Sequence, residues 1–228
     1  MGRKPYDPQY LKFPFSLDHD SLKRRPEFAQ LIGECISMWS NVEHMVGIIF
    51  GLLLGVQSTV ALEIFVSLRR SSGQREALLI AAKRKCTPEV LRIFQALLII
   101  YKSVESERNA LAHGCFGTLE NNIEAIVWIP QDHYVNFQAD LIFRESQGDY
   151  SAGHRILREN LFVYTLDDLL KIREEISSFY HMTFHVYITL RYEQTNPQTA
   201  SEHFEHLCAM PRMAEQMALN KDQSKTLE

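Results

Sequence analysis

The sequence predicts a mainly α-helical protein, a four-helix bundle with a small β-hairpin or sheet insertion before the last long helix. Four segments carry apolar residues at steps of three and four, the spacing of a helix with one buried face. The period changes over about 114–164, where short apolar runs alternate with turn residues. We therefore divide the chain into an N-terminal arm (1–25), a helical domain (26–192) that contains the β insertion, and a C-terminal tail (193–228) that is partly helical or disordered.

The composition is that of a globular protein with a sizeable core. Of the 228 residues, 46% are hydrophobic and 11% aromatic, which is ordinary for a chain that buries a core. The net charge is -4. Proteins that coat long nucleic acids are usually basic, so any nucleic-acid contact is expected to be local.

Cysteine usage and hydropathy bear on the compartment. The four cysteines form no Cys-x-x-Cys pair, and we expect free thiols in a reducing compartment. They are Cys35, Cys86, Cys115 and Cys208. The first ten residues contain no apolar signal core. The longest apolar run is 12 residues from Met45, shorter than the roughly 20 that cross a bilayer. We therefore expect a cytoplasmic protein without a membrane partner.

The arm and the first helix are separated by a proline. Residues 1–25 sustain no period, and prolines interrupt them. Their aromatic side chains are expected to pack on the body: Tyr6, Tyr10, Phe13 and Phe15. The first helix is predicted from Pro26 to Leu54, because the first helical turn tolerates proline, whose missing N–H would have had no partner there.

A second helical region is predicted from Ser58 to Arg84. The stretch "LRRSSGQRE" from Leu68 should break or bend it, since Ser-Ser-Gly is a poor helix former. Basic residues gather here: Arg69, Arg70, Arg75, Lys83, Arg84 and Lys85. They form either a solvated helix face or an electropositive wall near a phosphate site.

The third helix has clear start and stop signals. Thr87 can cap its N-terminus, Pro88 suits the first turn, and Glu89 complements the helix dipole. It should end at His113, with Gly114 as the stop. Beyond it, "CFGTLENNIEAIVWIP" predicts a hairpin around Glu-Asn-Asn. "YVNFQADLIFRE" and "NLFVYT" are predicted as further strands, with "SQGDYSAG" as the loop between them.

The last long helix should begin at Thr165. Thr165 and Asp168 have the spacing of a capping box. After Gln194 the chain becomes polar, and a short helix is predicted around Ala200–Cys208 or Met210–Leu219. The final "NKDQSKTLE" is expected to fray.

The third helix carries a cation on its apolar face. Arg108 lies four residues after Val104 and seven after Tyr101, so it shares their face. An unpaired buried charge is costly, so Arg108 must either pair with a carboxylate or line a cleft. Three carboxylates could serve: Glu43, Glu105 and Glu107.

A polar ridge lies beside this arginine. Asn109 and His113 are four residues apart and share a ridge, while His113 is about 140° around the helix from Arg108. The long arginine side chain can lean towards that ridge. A guanidinium, an amide and an imidazole at one helix end can hold a phosphate and transfer a proton. The alternative is structural: a histidine that caps the last carbonyls and an arginine in an ion pair.

"ERNALAHG" at the end of a long helix resembles the motif of HEPN domains (higher eukaryotes and prokaryotes nucleotide-binding). That motif is an arginine, often followed by a polar residue, and a histidine four to six residues further on. Arg108, Asn109 and His113 match these positions. The first helix is also similar, since "WSNVEHMVGIIFGLLLG" has the aromatic-Ser-x-x-Glu start and apolar run of many members. The resemblance covers about 27–113 and 165–192.

The resemblance implies a metal-independent endoribonuclease, usually a homodimer, in which two copies of the motif share one cleft. It implies an RNA substrate, no cofactor, and a toxin or phage-defence role with an antitoxin or regulatory partner. His113 would act on the 2′-OH or the leaving 5′-oxygen, and Arg108 would stabilise the charged phosphorane. Asn109 would orient His113 or the phosphate, and Glu43 would position Arg108. The alternative is a non-catalytic helical dimer that binds a partner protein or a nucleotide.

Other candidate sites are weaker. His181 and His185 have a spacing that can hold zinc, but no third ligand follows at a familiar distance, which favours two partly buried histidines. A second loose group near the tail lacks a fourth ligand: His203, His206 and Cys208. No metal site is therefore predicted. The nucleophile elbow, the Walker loop and the dinucleotide-binding glycine motif are absent from the sequence.

Overall fold

The computed structural model describes residues 4–5, 14–68, 70–120, 122–147 and 161–225. Eight helices lie within these ranges: α1 (Pro26–Leu54), α2 (Ser58–Ser67), α3 (Ser71–Lys85), α4 (Pro88–His113), α5 (Gln131–Ser146), α6 (Leu166–Tyr192), α7 (Pro197–Ala209) and α8 (Pro211–Lys225). The strands are β1 (Lys4–Pro5), β2 (Phe15–Leu17), β3 (Gly114–Leu119), β4 (Asn122–Pro130) and β5 (Phe162–Thr165). The prediction of a mainly helical protein with a small sheet is confirmed.

The chain forms two compact units, and each is built from separate stretches of sequence. Unit 1 comprises Met1–Ile36 and Glu107–Glu174, and unit 2 comprises Ser37–Ser106 and Glu175–Glu228. All strands of the described residues fall in unit 1. Every described secondary-structure element of unit 2 is a helix.

Unit 1 is organised around an antiparallel sheet with the strand order β1-β5-β4-β3-β2. Its centre is the hairpin of β3 and β4, which confirms the predicted hairpin. The N-terminal arm supplies both edges, because Lys4 pairs with Val163 and Phe15 pairs with Leu119. Strand β5 confirms the strand predicted in "NLFVYT". Tyr6, Tyr10 and Phe13 lie outside the described residues, as does most of "SQGDYSAG".

Successive side chains of a strand point to opposite faces of the sheet. One face forms a hydrophobic core: Leu119, Ala125, Val127, Ile129, Leu161 and Val163. Tyr134 and Phe137 of α5 pack against it. The other face carries Trp128, whose ring contacts the rings of Phe162 and Tyr164 at centroid distances of 5.4 and 6.3 Å.

The predicted strand in "YVNFQADLIFRE" is wrong, because this segment is part of α5. The partly buried side chains of Tyr134 and Phe137 are three residues apart, a helical spacing that places both on the sheet. In a strand, residues three apart point to opposite faces, so the two side chains could not both contact the sheet. An ion pair one helical turn apart, from Arg144 to Asp140, supports the same helix.

Unit 2 has a core of stacked aromatic rings at its centre. Trp39, Tyr101 and Phe179 come from α1, α4 and α6, and their centroids lie 5.5 to 6.4 Å apart. All three side chains are at most 1% exposed. Such rings bury large apolar areas and add a specific stacking term. They fix which faces of the three helices meet within this unit.

The helix boundaries of the long helices agree with the sequence signals. Helix α1 runs from Pro26 to Leu54, and the predicted break after Leu68 separates α2 from α3. The capping box of α6 is present. The Thr165 backbone N–H donates to Asp168 Oδ2 at 3.0 Å, and the Asp168 N–H donates to Thr165 Oγ1 at 3.2 Å.

The tail is more helical than predicted. Helices α7 and α8 continue to Lys225, so the fraying expected from residue 220 does not begin there. Asn196 caps α7, since its Oδ1 accepts the Thr199 N–H at 3.3 Å. Leu207 and Met213 are buried, and this burial stabilises helices that their polar sequence alone would not hold.

Among the described residues, one helix is long and apolar enough by length and composition to cross a membrane. It is α1, whose most apolar 18-residue window has a mean hydropathy of 1.3. A core helix has the same composition, and Trp39, Val42 and Val46 of α1 are at most 4% exposed. Cytoplasmic location stays a prediction.

The four cysteines are free thiols, and burial raises the pKa of Cys35 and Cys86 to about 11.

A nearly buried ion pair joins α3 to α4 within unit 2. The Arg75 guanidinium bonds the Glu105 carboxylate, and the two side chains are 18% and 9% exposed. The same guanidinium lies over the Tyr101 ring, 5.8 Å from its centroid. We expect Glu105→Gln to lower the free energy of unfolding by about 3 kcal/mol, because it leaves the arginine charge buried and uncompensated. Urea denaturation measures this change.

The control is Asp167→Asn, which removes the exposed pair with Lys171 and should cost less than about 1 kcal/mol. Replacing both partners, Arg75→Met with Glu105→Leu, should restore most of the loss, since no charge is then stranded. A Glu105→Gln cost no larger than that of Asp167→Asn would show that the pair is effectively solvated.

Candidate functional site

The candidate site lies at the C-terminal end of α4, which the sheet of unit 1 holds in place. The last four carbonyls of a helix have no partner within it. One of them, Ala110 O, accepts a hydrogen bond from Trp128 Nε1 at 2.9 Å. Strand β3 begins at Gly114, directly after His113. The end of α4 is therefore connected to β4 by the indole hydrogen bond and to β3 by the peptide bond between His113 and Gly114.

Gly114 ends α4 for a reason other than the one predicted. A helix-terminal glycine usually adopts a left-handed conformation, but within the described residues the glycine with positive φ is Gly55. At Gly114 the requirement is space. A Cβ there would lie 1.5 Å from Trp128 Nε1, so a side chain would expel the indole that caps the helix.

Arg108 and Asn109 are brought together. Arg108 is half-buried, consistent with its predicted place beside the core face, and its Nη1 donates to Asn109 Oδ1 at 2.9 Å. The predicted lean of arginine towards the polar ridge is therefore present. The Asn109 carbonyl oxygen orients the guanidinium, a role that the sequence did not suggest. Asn109 would still have its NH₂ group for a ligand.

His113 is exposed at the last residue of α4. Within the part of the chain that the structure describes, its imidazole has no hydrogen-bond or ion-pair partner. Among the described residues, no protein group therefore occupies the imidazole of this exposed side chain. This position differs from the structural alternative, in which the ring would bond the last carbonyls of the helix.

Two of the carboxylates considered for Arg108 have other contacts. Glu105 bonds Arg75 in unit 2. Glu43, also in unit 2, accepts a hydrogen bond from Trp39 Nε1 at 2.9 Å, so its predicted role in positioning Arg108 stays a prediction. Sequence reasoning considered Glu105 only as a partner for Arg108 and missed that this glutamate is buried against Arg75. The available signal was its spacing, because Glu105 follows Tyr101 by one helical turn and so shares the buried face.

The basic residues of α3 separate into two kinds. Lys83, Arg84 and Lys85 are exposed in its last turn, where cations complement the negative end of the helix dipole. Arg75 instead points inward to Glu105. Arg69 lies outside the described residues. The solvated-face interpretation fits the three C-terminal cations.

The two histidine groups that the sequence treated separately form one cluster in unit 2. His185 Nδ1 lies 3.0 Å from His203 Nδ1, and the rings of His185 and His206 stack with centroids 4.5 Å apart. Among the described residues, no three histidine, cysteine, aspartate or glutamate side chains are arranged to hold a metal ion.

Comparisons of the chain with protein-family models, with curated proteins and with solved structures found no match. The resemblance to HEPN domains therefore rests on the motif of α4 and on the stretch of α1 that begins at Trp39.

The indole contact gives a test of how the site is held. Gly114→Ala should lower the free energy of unfolding by about 3 kcal/mol, because the new methyl overlaps Trp128 and frees the Ala110 carbonyl. Thermal denaturation with near-ultraviolet circular dichroism follows both stability and the tryptophan environment. Gly33→Ala is the matched control. It has no atom within 4 Å of the new Cβ and should stabilise α1 by roughly 0.5–1 kcal/mol. Equal behaviour of the two variants would contradict the close approach.

The histidine cluster predicts that stability falls on acidification. Burial, and then the charges of His206, His203 and His181, lower the pKa of His185 below its usual value. The unfolded chain therefore takes up a proton first as the pH drops below about 6.5, which favours unfolding, and the loss is complete below the folded pKa.

We expect His185→Gln to flatten this part of the curve of unfolding free energy against pH, measured by urea denaturation between neutral and mildly acidic pH. His133→Gln changes an exposed histidine and should leave the slope as in the parent protein. If the slope of unfolding free energy against pH were unchanged in His185→Gln, the loss of stability at acidic pH would have to come from groups other than His185.

Proposed function

We propose that this protein is an endoribonuclease of the HEPN type, with His113, Arg108 and Asn109 as its site. The observation that carries the proposal is the solvent-facing His113 at the end of α4, one turn from an asparagine that orients a half-buried arginine. Within the described residues no protein group bonds this imidazole, which leaves it accessible to a substrate. The helix end that carries it is held by the Trp128 indole.

The reaction needs few protein groups, because RNA carries its own nucleophile. The 2′-oxygen attacks the adjacent phosphorus, and the bond to the 5′-oxygen breaks, which leaves a 2′,3′-cyclic phosphate and a 5′-hydroxyl. His113 would accept the 2′-OH proton or protonate the leaving 5′-oxygen. Arg108 would stabilise the added charge on the phosphorane, since a guanidinium matches phosphate oxygens with two donors. A homodimer would supply a second His113 for the other proton transfer.

The alternative is a non-catalytic dimer that binds a partner protein or a nucleotide through the same helix end. The net charge of -4 favours it, because an acidic protein gains little long-range attraction for RNA. A partner such as an antitoxin would use the same exposed residues. Both possibilities keep Arg108 and Asn109 as binding groups, but only the nuclease requires proton transfer by His113.

Cleavage of single-stranded RNA in the presence of EDTA tests the proposal. His113→Ala should reduce the single-turnover rate by roughly 10²–10⁴-fold, the usual worth of general acid–base catalysis. Arg108→Ala should reduce it by about 10²–10³-fold, through lost stabilisation of charge. His133→Ala, on the exposed face of α5 in the same unit, should keep the parental rate.

The substrate supplies a second control. An oligonucleotide with a 2′-deoxyribose at the cleaved position should not be cleaved, because it lacks the attacking 2′-oxygen. The 5′ products of the all-ribose strand should end in 2′,3′-cyclic phosphates. Dimerisation is measured by sedimentation. A folded dimer that leaves RNA intact, with confirmed RNA binding, would favour the non-catalytic alternative. Cleavage retained by His113→Ala would exclude the proposed site.

A further inference from the structure

Helices α7 and α8 pack on each other at the end of unit 2, and we call this pair the C-terminal hairpin. At the start of α8, Arg212 donates to Glu175 of α6 at 2.8 Å and to Ser103 of α4 at 3.2 Å. A second polar contact joins histidines of α6 and α7. It lies at His185, ten residues beyond Glu175 and roughly 15 Å further along α6. The hairpin is therefore attached to α6 at two separate places.

The contact between His185 and His203 requires that at least one of the two rings is neutral. Their Nδ1 atoms lie 3.0 Å apart, which is a hydrogen-bond distance. One Nδ1 must donate its hydrogen, and the other must accept with a lone pair that a protonated imidazole lacks. When both rings are protonated, two N–H groups and two positive charges face each other. Full protonation therefore converts an attraction between α6 and α7 into a repulsion.

The other ionisable groups around His185 act in the same direction. The ring of His206, also from α7, stacks on His185 with centroids 4.5 Å apart. Burial, and then the charges of His206, His203 and His181, lower the pKa of His185. Once α7 has moved away, that pKa should return towards the usual value of about 6.5.

Two carboxylates of α7 flank these histidines in the sequence, but both are exposed and bonded within their own helix. Glu202 accepts a hydrogen bond from Gln198 at 3.1 Å, and Glu205 accepts one from Ser201 at 3.3 Å. Protonation of the cluster is therefore opposed by like charges from both helices.

The direction of the pH effect follows from the lowered pKa. A histidine whose pKa is lower in the attached state stabilises that state above its usual pKa, and the stabilisation is lost as the pH falls to the lowered value. The detached hairpin binds more protons, so acid favours detachment. The stacked rings of Trp39, Tyr101 and Phe179, which join α1, α4 and α6, do not titrate in this range.

We propose that mild acid releases the C-terminal hairpin from α6, while the packing of α1, α4 and α6 around their stacked rings persists. The hairpin is then a pH-sensitive element of unit 2. This inference does not depend on the proposed nuclease activity.

Hydrogen–deuterium exchange of the full chain, read by mass spectrometry between pH 7 and pH 5, tests the proposal. Protection is corrected for the intrinsic exchange rate at each pH, and EDTA is present so that no metal ion bridges the imidazoles. Protection of α7 and α8 should fall by up to about tenfold per pH unit, since each additional proton bound by the open state changes the opening constant by that factor. The α4 amides around Tyr101 should keep their protection.

Variants of the histidine pair separate this contact from general acid sensitivity. His185→Gln, and independently His203→Gln, should remove most of the pH dependence of α7 protection. His133→Gln, at an exposed position of α5, should behave as the parent does. Circular dichroism at neutral pH checks that each variant is folded.

Glu175→Gln weakens the other attachment, which contains no group that titrates between these pH values. It should lower protection of both α7 and α8 at every pH and leave the pH dependence unchanged. An equal fall of protection in α4 and α7 would show that acid unfolds the whole unit and would overturn the proposal. Protection of α7 that does not vary with pH in the parent, or an unchanged pH dependence in both His185→Gln and His203→Gln, would also overturn it.

Discussion

The hydrogen bond from the Trp128 indole to the Ala110 carbonyl is the contact on which the candidate site depends. The indole N–H supplies the donor that the Ala110 carbonyl lacks at the end of α4, and the bond can form only because Gly114 leaves room for the ring. The bond ties the helix to the central strand of the sheet. Arg108, Asn109 and His113 occupy the last six residues of that helix, so their positions are set by a residue 15 positions beyond the motif.

The long helices could be predicted because their signals are local. Each helix boundary is set by residues next to it in the sequence. The examples are the proline in the first turn of α1, the threonine before α4 and the Thr165–Asp168 capping box of α6. Helix α5 could not be predicted in the same way. Its apolar residues are dense enough to suit a strand or a helix, and the choice is made by the sheet against which Tyr134 and Phe137 pack. The α7 and α8 helices likewise depend on burial of Leu207 and Met213.

The site was predictable in its members but not in their arrangement. Helical spacing places Arg108 near the core face and Asn109 on the ridge of His113. Helical spacing does not indicate that Asn109 would accept a hydrogen bond from the Arg108 guanidinium. Nor does it indicate that Glu105 would form an ion pair with Arg75 of another helix. Both depend on which long side chain reaches which acceptor. A pocket at the end of β2, lined by residues of β2, β3 and α5, could not be predicted from the spacing of residues in the sequence, because only the fold brings these elements together.

The edges of the sheet have a consequence for how the protein is made. Lys4 pairs with Val163 and Phe15 with Leu119, so each of the two edge strands must wait for a partner that is made much later in the chain. Contacts so distant in sequence form slowly, because the entropy of closing a long loop is lost before the contacts contribute any stabilising free energy. Helical segments of unit 2 can form while synthesis continues. A growing chain that has not reached β5 lacks the strand that pairs with β4 on the side away from β3, so Trp128 lies in an incomplete sheet until β5 has been made.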